Sequence, residues 1–151
     1  MLFRSPTVTS ASSATVNENV TGTVYTVTGT DPDAGTTLSY SISGTDASLF
    51  NIDSSTGAIT FKTSPDYESP SDNGGNNIYD ITVTASDGTL TNSKAVTITV
   101  TNVNEAPTVT SASSATVNEN VTGTVYTVTG TDPDAGTTLS YSISEIGRAH
   151  V

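Results

Sequence analysis

The chain has 151 residues, with Lys+Arg 4 against Asp+Glu 15, a formal net charge of -11, no Cys and no Trp. Four cations cannot form the basic face that neutralises phosphates, so we exclude a nucleic-acid partner and disfavour an anionic membrane surface. The lack of Cys excludes disulfide scaffolds and thiol nucleophiles, and because no run of 18 apolar residues occurs, we expect no direct membrane insertion.

An internal repeat organises the chain. Residues 6–43 recur without a single change as residues 107–144, a period of 101 residues. We therefore expect one complete repeat over residues 6–106, followed by a truncated second repeat over residues 107–144 that carries the first three strands only. Without the opposing sheet, this second copy is expected to be poorly ordered or to pair opportunistically.

The two ends of the chain do not match the repeat. Residues 1–5 and residues 145–151 can be encoded by one DNA string read from opposite strands, and that string resembles a sequencing-library adapter. We predict that both ends are adapter-derived and leave them out of fold reasoning. His150, the one histidine, is then no candidate for a catalytic base.

Alternation of apolar and polar residues predicts strands throughout the complete repeat and no amphipathic helix. In chain order, the seven predicted strands are 14–16, 23–28, 38–43, 50–52, 59–62, 78–86 and 94–101. Such one-sided strands predict an all-β antiparallel sandwich with a dry centre and a Thr-rich exterior. β-Propensity explains the threonines; an ice-binding array is the other interpretation, but it needs a much shorter repeat.

Acidic residues gather at the ends of the predicted strands. They are Glu18 within NEN, Asp31 and Asp33 within DPD, Asp66 and Glu68 within DYE, Asp87 within ASDG, and Glu105 within the linker NVNEAP. A hard divalent cation binds six to eight oxygens, and clustered carboxylates with Asn carbonyls supply such ligands. The alternative is that these acids only occupy turns and aid solubility.

Taken in order, these motifs resemble those of the cadherin repeat. NEN is similar to that family's first acidic motif, DYE to its Asp-Arg-Glu, DPD to its Asp-x-Asp, ASDG to its Ala-x-Asp, and NVNEAP to its Asp-x-Asn-Asp-Asn-Ala-Pro linker. The stretch FNIDSSTGAI also matches its F-x-I-D-x-x-T-G-x-I signature. The resemblance covers the whole repeat and the partial copy, and it implies a seven-stranded Greek-key β-sandwich of immunoglobulin-like architecture.

The resemblance also implies where calcium binds, namely at the junction between consecutive repeats. The ligands implied for the junction to the second copy are Glu18, Asp66, Glu68, Asn104, Glu105, Asp132 and Asp134. Those implied for a junction to a preceding repeat are Asp31, Asp33 and Asp87. The linker departs from the family pattern, since Asn102 replaces an Asp and Glu105-Ala106 replaces Asp-Asn-Ala, which makes it one residue shorter.

The family implies a function that is not enzymatic. We expect a calcium-binding structural and adhesive repeat that stiffens a tandem array in an extracellular or cell-surface protein. The stretches DYE, NGGNN and YDITVTASDG are similar to bacterial cadherin-like repeats. Implied partners are the neighbouring repeats of the same chain, with surface glycans and other cell-surface proteins as further candidates.

The alternative function is an accessory or carbohydrate-binding module of a large secreted hydrolase. Sugar binding would need exposed aromatic rings, and Tyr67 is the one loose candidate in the complete repeat. A glycosidase would need two carboxylates facing each other across a cleft, and acids at the ends of a sandwich do not provide that arrangement.

Overall fold

The computed structural model describes residues 3–144, so residues 1, 2 and 145–151 of the predicted adapter-derived ends lie outside the described residues. The chain divides into two compact units, unit 1 (Met1–Val103) and unit 2 (Asn104–Val151). No helix among the described residues has the length and apolar character that crossing a membrane requires.

The described residues of unit 1 form nine strands and one 3₁₀ turn at Ala47–Leu49. The strands are β1 Thr7–Val8, β2 Ser13–Asn17, β3 Thr23–Thr26, β4 Gly29–Thr30, β5 Ser39–Ser43, β6 Phe50–Ile52, β7 Ala58–Phe61, β8 Ile78–Ser86 and β9 Thr91–Thr101. Each of the seven predicted strands overlaps one of these, whereas β1 and β4 were not predicted. Two residues are too short a stretch for an alternation pattern to register.

Seven of the strands form two sheets that pack face to face. One sheet has the order β2-β9-β8-β5 and the other β3-β7-β6, while β1 and β4 pair separately. The hairpin of β8 and β9 supplies the two central strands of the larger sheet, with Ser86 opposite Thr91 at its turn. The predicted all-β sandwich is thereby confirmed.

The core lies between the two sheets and comes from alternate residues of each strand. Tyr79, Val83 and Ile98 of the larger sheet are fully buried, as is Ile59 of the smaller one. Burying a side chain of this size stabilises the fold by about 1.5 to 3 kcal/mol. The ring of Tyr79 meets Phe61 edge to face, with ring centroids 5.1 Å apart, an arrangement that aromatic quadrupoles favour.

One strand pair departs from the predicted antiparallel arrangement. β2 pairs with β9 in parallel, from Ser13 opposite Thr97 to Asn17 opposite Thr101. Apolar alternation reports which face of a strand is buried but not its direction. The antiparallel prediction was therefore wrong for β2 and β9. β2, the first long strand of unit 1, pairs along the side of β9 that β8 does not occupy.

Over residues 104–144, unit 2 contains two short strands, β10 Thr108–Val109 and β11 Gly130–Thr131, which pair antiparallel with each other. The three strands predicted for the second copy do not form within its described residues. Their counterparts in unit 1 are β2, β3 and β5, which pair with β9, β7 and β8. β1 and β4, by contrast, pair with each other, and so do their copies β10 and β11.

Candidate metal centre

Glu18 follows directly after β2, at the end of the larger sheet where β9 also ends. Its backbone N–H donates to Thr101 O at 2.9 Å, which extends the parallel ladder by one residue. The next residue, Asn19, turns the chain away with φ 58, and its N–H donates to Pro65 O at 2.8 Å. These bonds bring Glu18 beside the segment that contains DYE.

Three of the predicted calcium ligands come together at this end of unit 1. One carboxylate oxygen from each of Glu18, Asp66 and Glu68 lies within 4.8 Å of the other two. Glu18 is only 3% exposed, Glu68 is half-buried and Asp66 is exposed. Within residues 3–144, no other three acidic side chains form such a group.

Backbone N–H groups fix the buried member of this cluster. Glu18 Oε2 accepts from Tyr67 N at 2.9 Å, and Glu18 Oε1 accepts from Val103 N at 2.7 Å. Asp66 Oδ1 accepts from the N–H groups of Glu68 and Ser69 at 3.0 and 3.1 Å. Each carboxylate oxygen has two lone pairs, so these bonds leave capacity for a cation.

The cluster is electrostatically costly without a cation. At an effective dielectric of about 20, two unit charges some 5 Å apart repel by about 3 kcal/mol, with stronger screening at the exposed Asp66. The ammonium groups of Lys62 and Lys94 donate to Ser48 O and Ser10 O. The three carboxylates therefore offer hard oxygen ligands, negative charge and one buried anchor, and this donor set fits Ca²⁺.

The cluster also holds the first residues of the linker. Glu68 Oε1 accepts from the side-chain amide of Asn102 at 2.6 Å, and Glu18 accepts from Val103 N as described above. Asn102, which stands where the family has an Asp, thus meets a carboxylate as a donor. A cation at the cluster would act on the same two carboxylates that hold these linker residues.

The second predicted ligand set, Asp31, Asp33 and Asp87, lies at the opposite end of the larger sheet and does not form one cluster. Asp87 is in the β8–β9 turn, where its Oδ1 accepts from Thr89 N and Leu90 N at 2.6 Å each. These bonds, that of Leu90 above all, lower the pKa of Asp87. Asp31 Oδ1 accepts from Asp33 N at 2.7 Å, while Asp31 Oδ2 is buried without a hydrogen-bond partner among the described residues.

Unit 2 repeats the local geometry of this DPD loop. Asp132 Oδ1 accepts from Asp134 N at 2.9 Å, and Asp134 Oδ2 accepts from Glu105 N at 2.7 Å. Asn104, also predicted as a ligand, donates from its side-chain amide to Glu105 O at 3.1 Å. Hydrogen bonds thus connect the linker residues Asn104 and Glu105 to Asp134 and Asp132 of the DPD loop, which together are the four ligands predicted for this side.

Arg4 occupies the position in unit 1 that Glu105 occupies in unit 2, 101 residues earlier. Its N–H donates to Asp33 Oδ2 at 2.8 Å, and its guanidinium Nε lies 3.7 Å from Asp33 Oδ1. Arg4 and Glu105 carry opposite charges, but in both units the backbone N–H at this position donates to the second Asp of the DPD loop. That residues 1–5 are foreign to the repeat stays a prediction.

Sequence reasoning missed two buried carboxylates, Asp46 and Asp72. Asp46 accepts from Asn73 N at 2.8 Å and from Asp80 N at 2.7 Å. Asp72 accepts from Asn77 N and Asn76 N at 2.9 and 3.1 Å. Asp46 thus holds the NGGNN loop against β8 of the larger sheet, whereas Asp72 closes the loop on itself, and neither belongs to a recognisable motif.

The Cadherin domain family model matches residues 12–101, which is more than half of the chain and nearly all of unit 1. The chain belongs to the cadherin domain family. Halomucin of Haloquadratum walsbyi (strain DSM 16790 / HBSQ001) is 39% identical to this cadherin-domain chain over 71 residues. Those residues are 44% of the chain but 1% of halomucin.

Solved cadherin structures have the same fold. The chain matches human Protocadherin-24 EC1-2 Form II with a TM-score of 0.60 at 24% identity, covering 87% of this chain and 62% of that one. It matches Drosophila N-cadherin EC1-4 with a TM-score of 0.62 at 25% identity, covering 89% of this chain and 35% of that one. The cadherin-domain chain therefore spans less than two thirds of these relatives.

Membership of the cadherin family gives the class of protein. Cadherin domains are adhesive and structural repeats of extracellular or cell-surface proteins, so this chain is an extracellular or cell-surface repeat. The family is a non-enzymatic one. In homologues, cadherin repeats interact with neighbouring repeats or with partners.

Proposed function

We propose that this chain is a calcium-binding cadherin repeat that stiffens a tandem array in an extracellular adhesive protein of bacterial type. The carrying observation is the cluster of Glu18, Asp66 and Glu68, whose oxygens lie within 4.8 Å of one another. Glu18 is 48 positions before Asp66 and 50 before Glu68 in sequence, so the fold itself brings it to the other two. By analogy with extracellular calcium modules, the expected dissociation constant is on the order of 0.1 to 1 mM.

Stiffening is supported by the contacts of the linker. Two of the proposed ligands, Glu18 and Glu68, accept hydrogen bonds from Val103 N and from the Asn102 side chain. A bound Ca²⁺ would remove the repulsion within the cluster and hold these carboxylates in one arrangement. Asn102 and Val103, which follow β9, would then be held in place when calcium is bound and would move more freely without it.

The remaining ligands stay predictions. Asn104, Glu105, Asp132 and Asp134 are proposed to contribute to calcium binding, as are Asp31, Asp33 and Asp87 toward a preceding repeat. The buried Oδ2 of Asp31, which has no hydrogen-bond partner among the described residues, supports a cation at that second set. Neighbouring repeats of the same protein are the proposed partners.

The deciding experiment compares two glutamates with the same local sequence. Glu18 and Glu119 both lie in NEN, but only Glu18 belongs to the cluster. In about 10 mM calcium, we expect the melting temperature of the wild-type chain and of E119Q to rise by roughly 5 to 15 °C above its value in chelator. E18Q and E68Q should lose most of this rise. An unchanged wild-type melting temperature would reject the proposal.

A second measurement locates the ion independently of stability. Tb³⁺ is a luminescent substitute for Ca²⁺ that is excited through nearby phenol rings, and Tyr67 lies between two of the proposed ligands. We expect calcium-displaceable Tb³⁺ emission that falls sharply in Y67F, whereas the calcium-induced rise in melting temperature persists. Emission that is unchanged in both Y67F and E18Q would place the ion elsewhere.

The carbohydrate-binding alternative has less support. Within the complete repeat, Tyr67 is the exposed aromatic residue, at 38%, while Tyr25 and Tyr79 are buried. Sugar-binding surfaces rely on several exposed rings that stack on the ligand, and no such surface is present in residues 6–106. Retention of the calcium-free chain on a polysaccharide column would favour this alternative.

A further inference from the structure

The NGGNN loop contains the one Asn-Gly pair of the chain, Asn73–Gly74. Both residues are exposed, and a hydrogen bond from Gly75 N to Asp72 O at 3.1 Å closes a turn with the pair at its centre. An asparagine side chain can react with the backbone nitrogen of the next residue, and glycine favours this step because it has no Cβ to obstruct the approach. The pair is therefore a candidate site of self-modification.

The two groups that would react are not held by other groups. Among residues 3–144, neither the side-chain amide of Asn73 nor the backbone N–H of Gly74 has a hydrogen-bond partner. The backbone N–H of Asn73 donates to Asp46 Oδ1 at 2.8 Å. The chain is thus anchored before the pair, whereas the peptide group between Asn73 and Gly74 can turn its nitrogen toward the Asn73 side chain.

The other two asparagines of the loop are held in ways that oppose the same reaction. The nitrogen that Asn76 would need belongs to Asn77, whose N–H donates to Asp72 Oδ1 at 2.9 Å. The nitrogen that Asn77 would need belongs to Ile78, whose N–H donates to Asn76 Oδ1 at 3.0 Å and whose β-branched side chain obstructs the approach. A bonded N–H must first lose its partner, so the fold leaves Asn73 as the reactive asparagine of the loop.

We propose that Asn73 is a site of spontaneous backbone rearrangement, at which the folded domain converts Asn73–Gly74 to aspartate and isoaspartate and loosens the loop from β8. Gly74 N loses its proton and bonds to Asn73 Cγ, the Cγ–Nδ2 bond breaks, and Nδ2 leaves as ammonia. Water then opens the succinimide ring. Cleavage between Gly74 N and Cγ gives aspartate, and cleavage between Gly74 N and the main-chain carbonyl carbon gives isoaspartate. The reaction consumes water alone, so it stands apart from the proposed calcium binding.

The isoaspartyl product carries a charge close to the point where the loop is held. Its main chain passes through the former side chain, so the new carboxylate is attached to the Cα that also bears the N–H donated to Asp46. Asp46 is 3% exposed, and its Oδ2 accepts from Asp80 N of β8 at 2.7 Å. Both carboxylates are ionised at neutral pH and repel each other. We therefore expect the bond between position 73 and Asp46 to break and the loop to separate from β8.

The first test keeps the full chain in chelator at about 37 °C and about pH 7.4 for several weeks. By mass spectrometry with fragmentation, we expect position 73 to gain about 1 Da and to contain isoaspartate, with an equal amount of ammonia released. Asn76 and Asn77 should convert at least tenfold more slowly. Equal rates at the three asparagines, or no conversion of Asn73, would overturn the proposal.

A synthetic peptide of residues 69–80 gives the rate without the fold. Because the Gly74 N–H is unrestrained in both, we expect Asn73 to convert in the folded chain within about tenfold of its rate in the peptide. G74A should slow conversion at least fivefold in the peptide, where folding plays no part, and in the chain. A folded chain that converts Asn73 more than a hundredfold slower than the peptide would show that the turn protects this residue, contrary to the proposal.

A matched variant separates the added charge from the altered backbone. N73D has the same extra negative charge as the isoaspartyl form, which ion exchange isolates, but its main chain is unchanged. By NMR, we expect amide hydrogen exchange at residues 73 and 75 to be at least tenfold faster in the isoaspartyl form than in N73D, with exchange at residues 96–100 of β9 the same in both. Equal exchange at residues 73 and 75 in the two proteins would overturn the proposed loosening of the loop.

Discussion

Gly57 lies at the closest backbone approach among the glycines of unit 1. It is in the turn between β6 and β7 with φ +74, and a Cβ at this position would be 2.3 Å from Val27 O. Its carbonyl also accepts from Val27 N, just after β3, at 2.9 Å. The β6–β7 turn and the end of β3 therefore cannot separate without losing a hydrogen bond. The position therefore requires glycine for both its conformation and its contact.

We predict that Gly57→Ala destabilises the fold by about 3 kcal/mol, from left-handed strain together with the steric clash. Gly22→Ala is the matched control, because Gly22 has φ +94 but nothing within 4 Å of its Cβ position. It should cost about 1 kcal/mol. Urea unfolding at neutral pH measures both variants, and equal losses would contradict the role of the Val27 contact.

Asp53 and Asp87 make stability dependent on pH. The backbone N–H groups of Thr56 and Ser55 lower the pKa of Asp53 from 3.8, and those of Leu90 and Thr89 do the same for Asp87. A pKa that is lower in the folded state stabilises the protein above the unfolded pKa. This contribution is lost as the pH falls through 3.8 toward the folded pKa values.

We therefore predict that the difference in unfolding free energy between the wild type and D53N is constant above about pH 5 and shrinks below about pH 4. D87N should behave in the same way. Urea unfolding at pH 6, 4 and 3 tests both variants. A difference that grows on acidification would show that the charged form is not the one stabilised by these N–H groups.

Individual ligands were predictable where they belong to motifs. Glu18, Asp66 and Glu68 were singled out from NEN and DYE, and the structure brings them together. Asp46 and Asp72 were not predicted, because their role depends on which backbone N–H groups the folded chain brings to them. The pairing of Arg4 with Asp33 also depends on the tertiary fold.

At the scale of elements, residues 13–17 and 114–118 show what local sequence can and cannot decide. The same SATVN sequence is strand β2 in unit 1 and has no strand in unit 2. Its alternation predicts the buried face correctly, but a strand also needs a partner for its backbone groups. Strand propensity was therefore readable from sequence, whereas pairing and the parallel direction of β2 were not.

A matched pair of substitutions measures this dependence. Ile42→Ala removes packing against the core and should destabilise unit 1 by about 2 kcal/mol. Ile143→Ala changes the same residue in the same local sequence, but Ile143 is 94% exposed, so the change should fall within about 0.5 kcal/mol. Equal losses in urea unfolding would mean that the second copy is packed in solution.

At the scale of the whole molecule, net charge opposes compaction. The chain carries a formal charge of -11, and self-repulsion of this kind destabilises a folded state. Raising monovalent salt from about 0.02 to 0.5 M shortens the screening length several-fold. We predict that the melting temperature in chelator rises with NaCl by several degrees.

Salt screening and calcium binding are separable. The NaCl-dependent rise should be the same in E18Q, because it depends on total charge, whereas the calcium-dependent rise should be lost in that variant. Scanning calorimetry of both proteins across the salt series measures the two effects. A melting temperature that falls with NaCl would show that favourable ion pairs outweigh the repulsion.

The parallel pairing of β2 with β9 has a mechanical consequence. Both strands run toward the end where Glu18 and Asn102 lie, so the chain enters β2 at one end of the larger sheet and leaves β9 at the other. Tension applied through the two ends pulls these neighbouring strands in opposite directions along their length. The ladder hydrogen bonds between them are then loaded together in shear rather than opened one by one, and a domain loaded in this way resists extension.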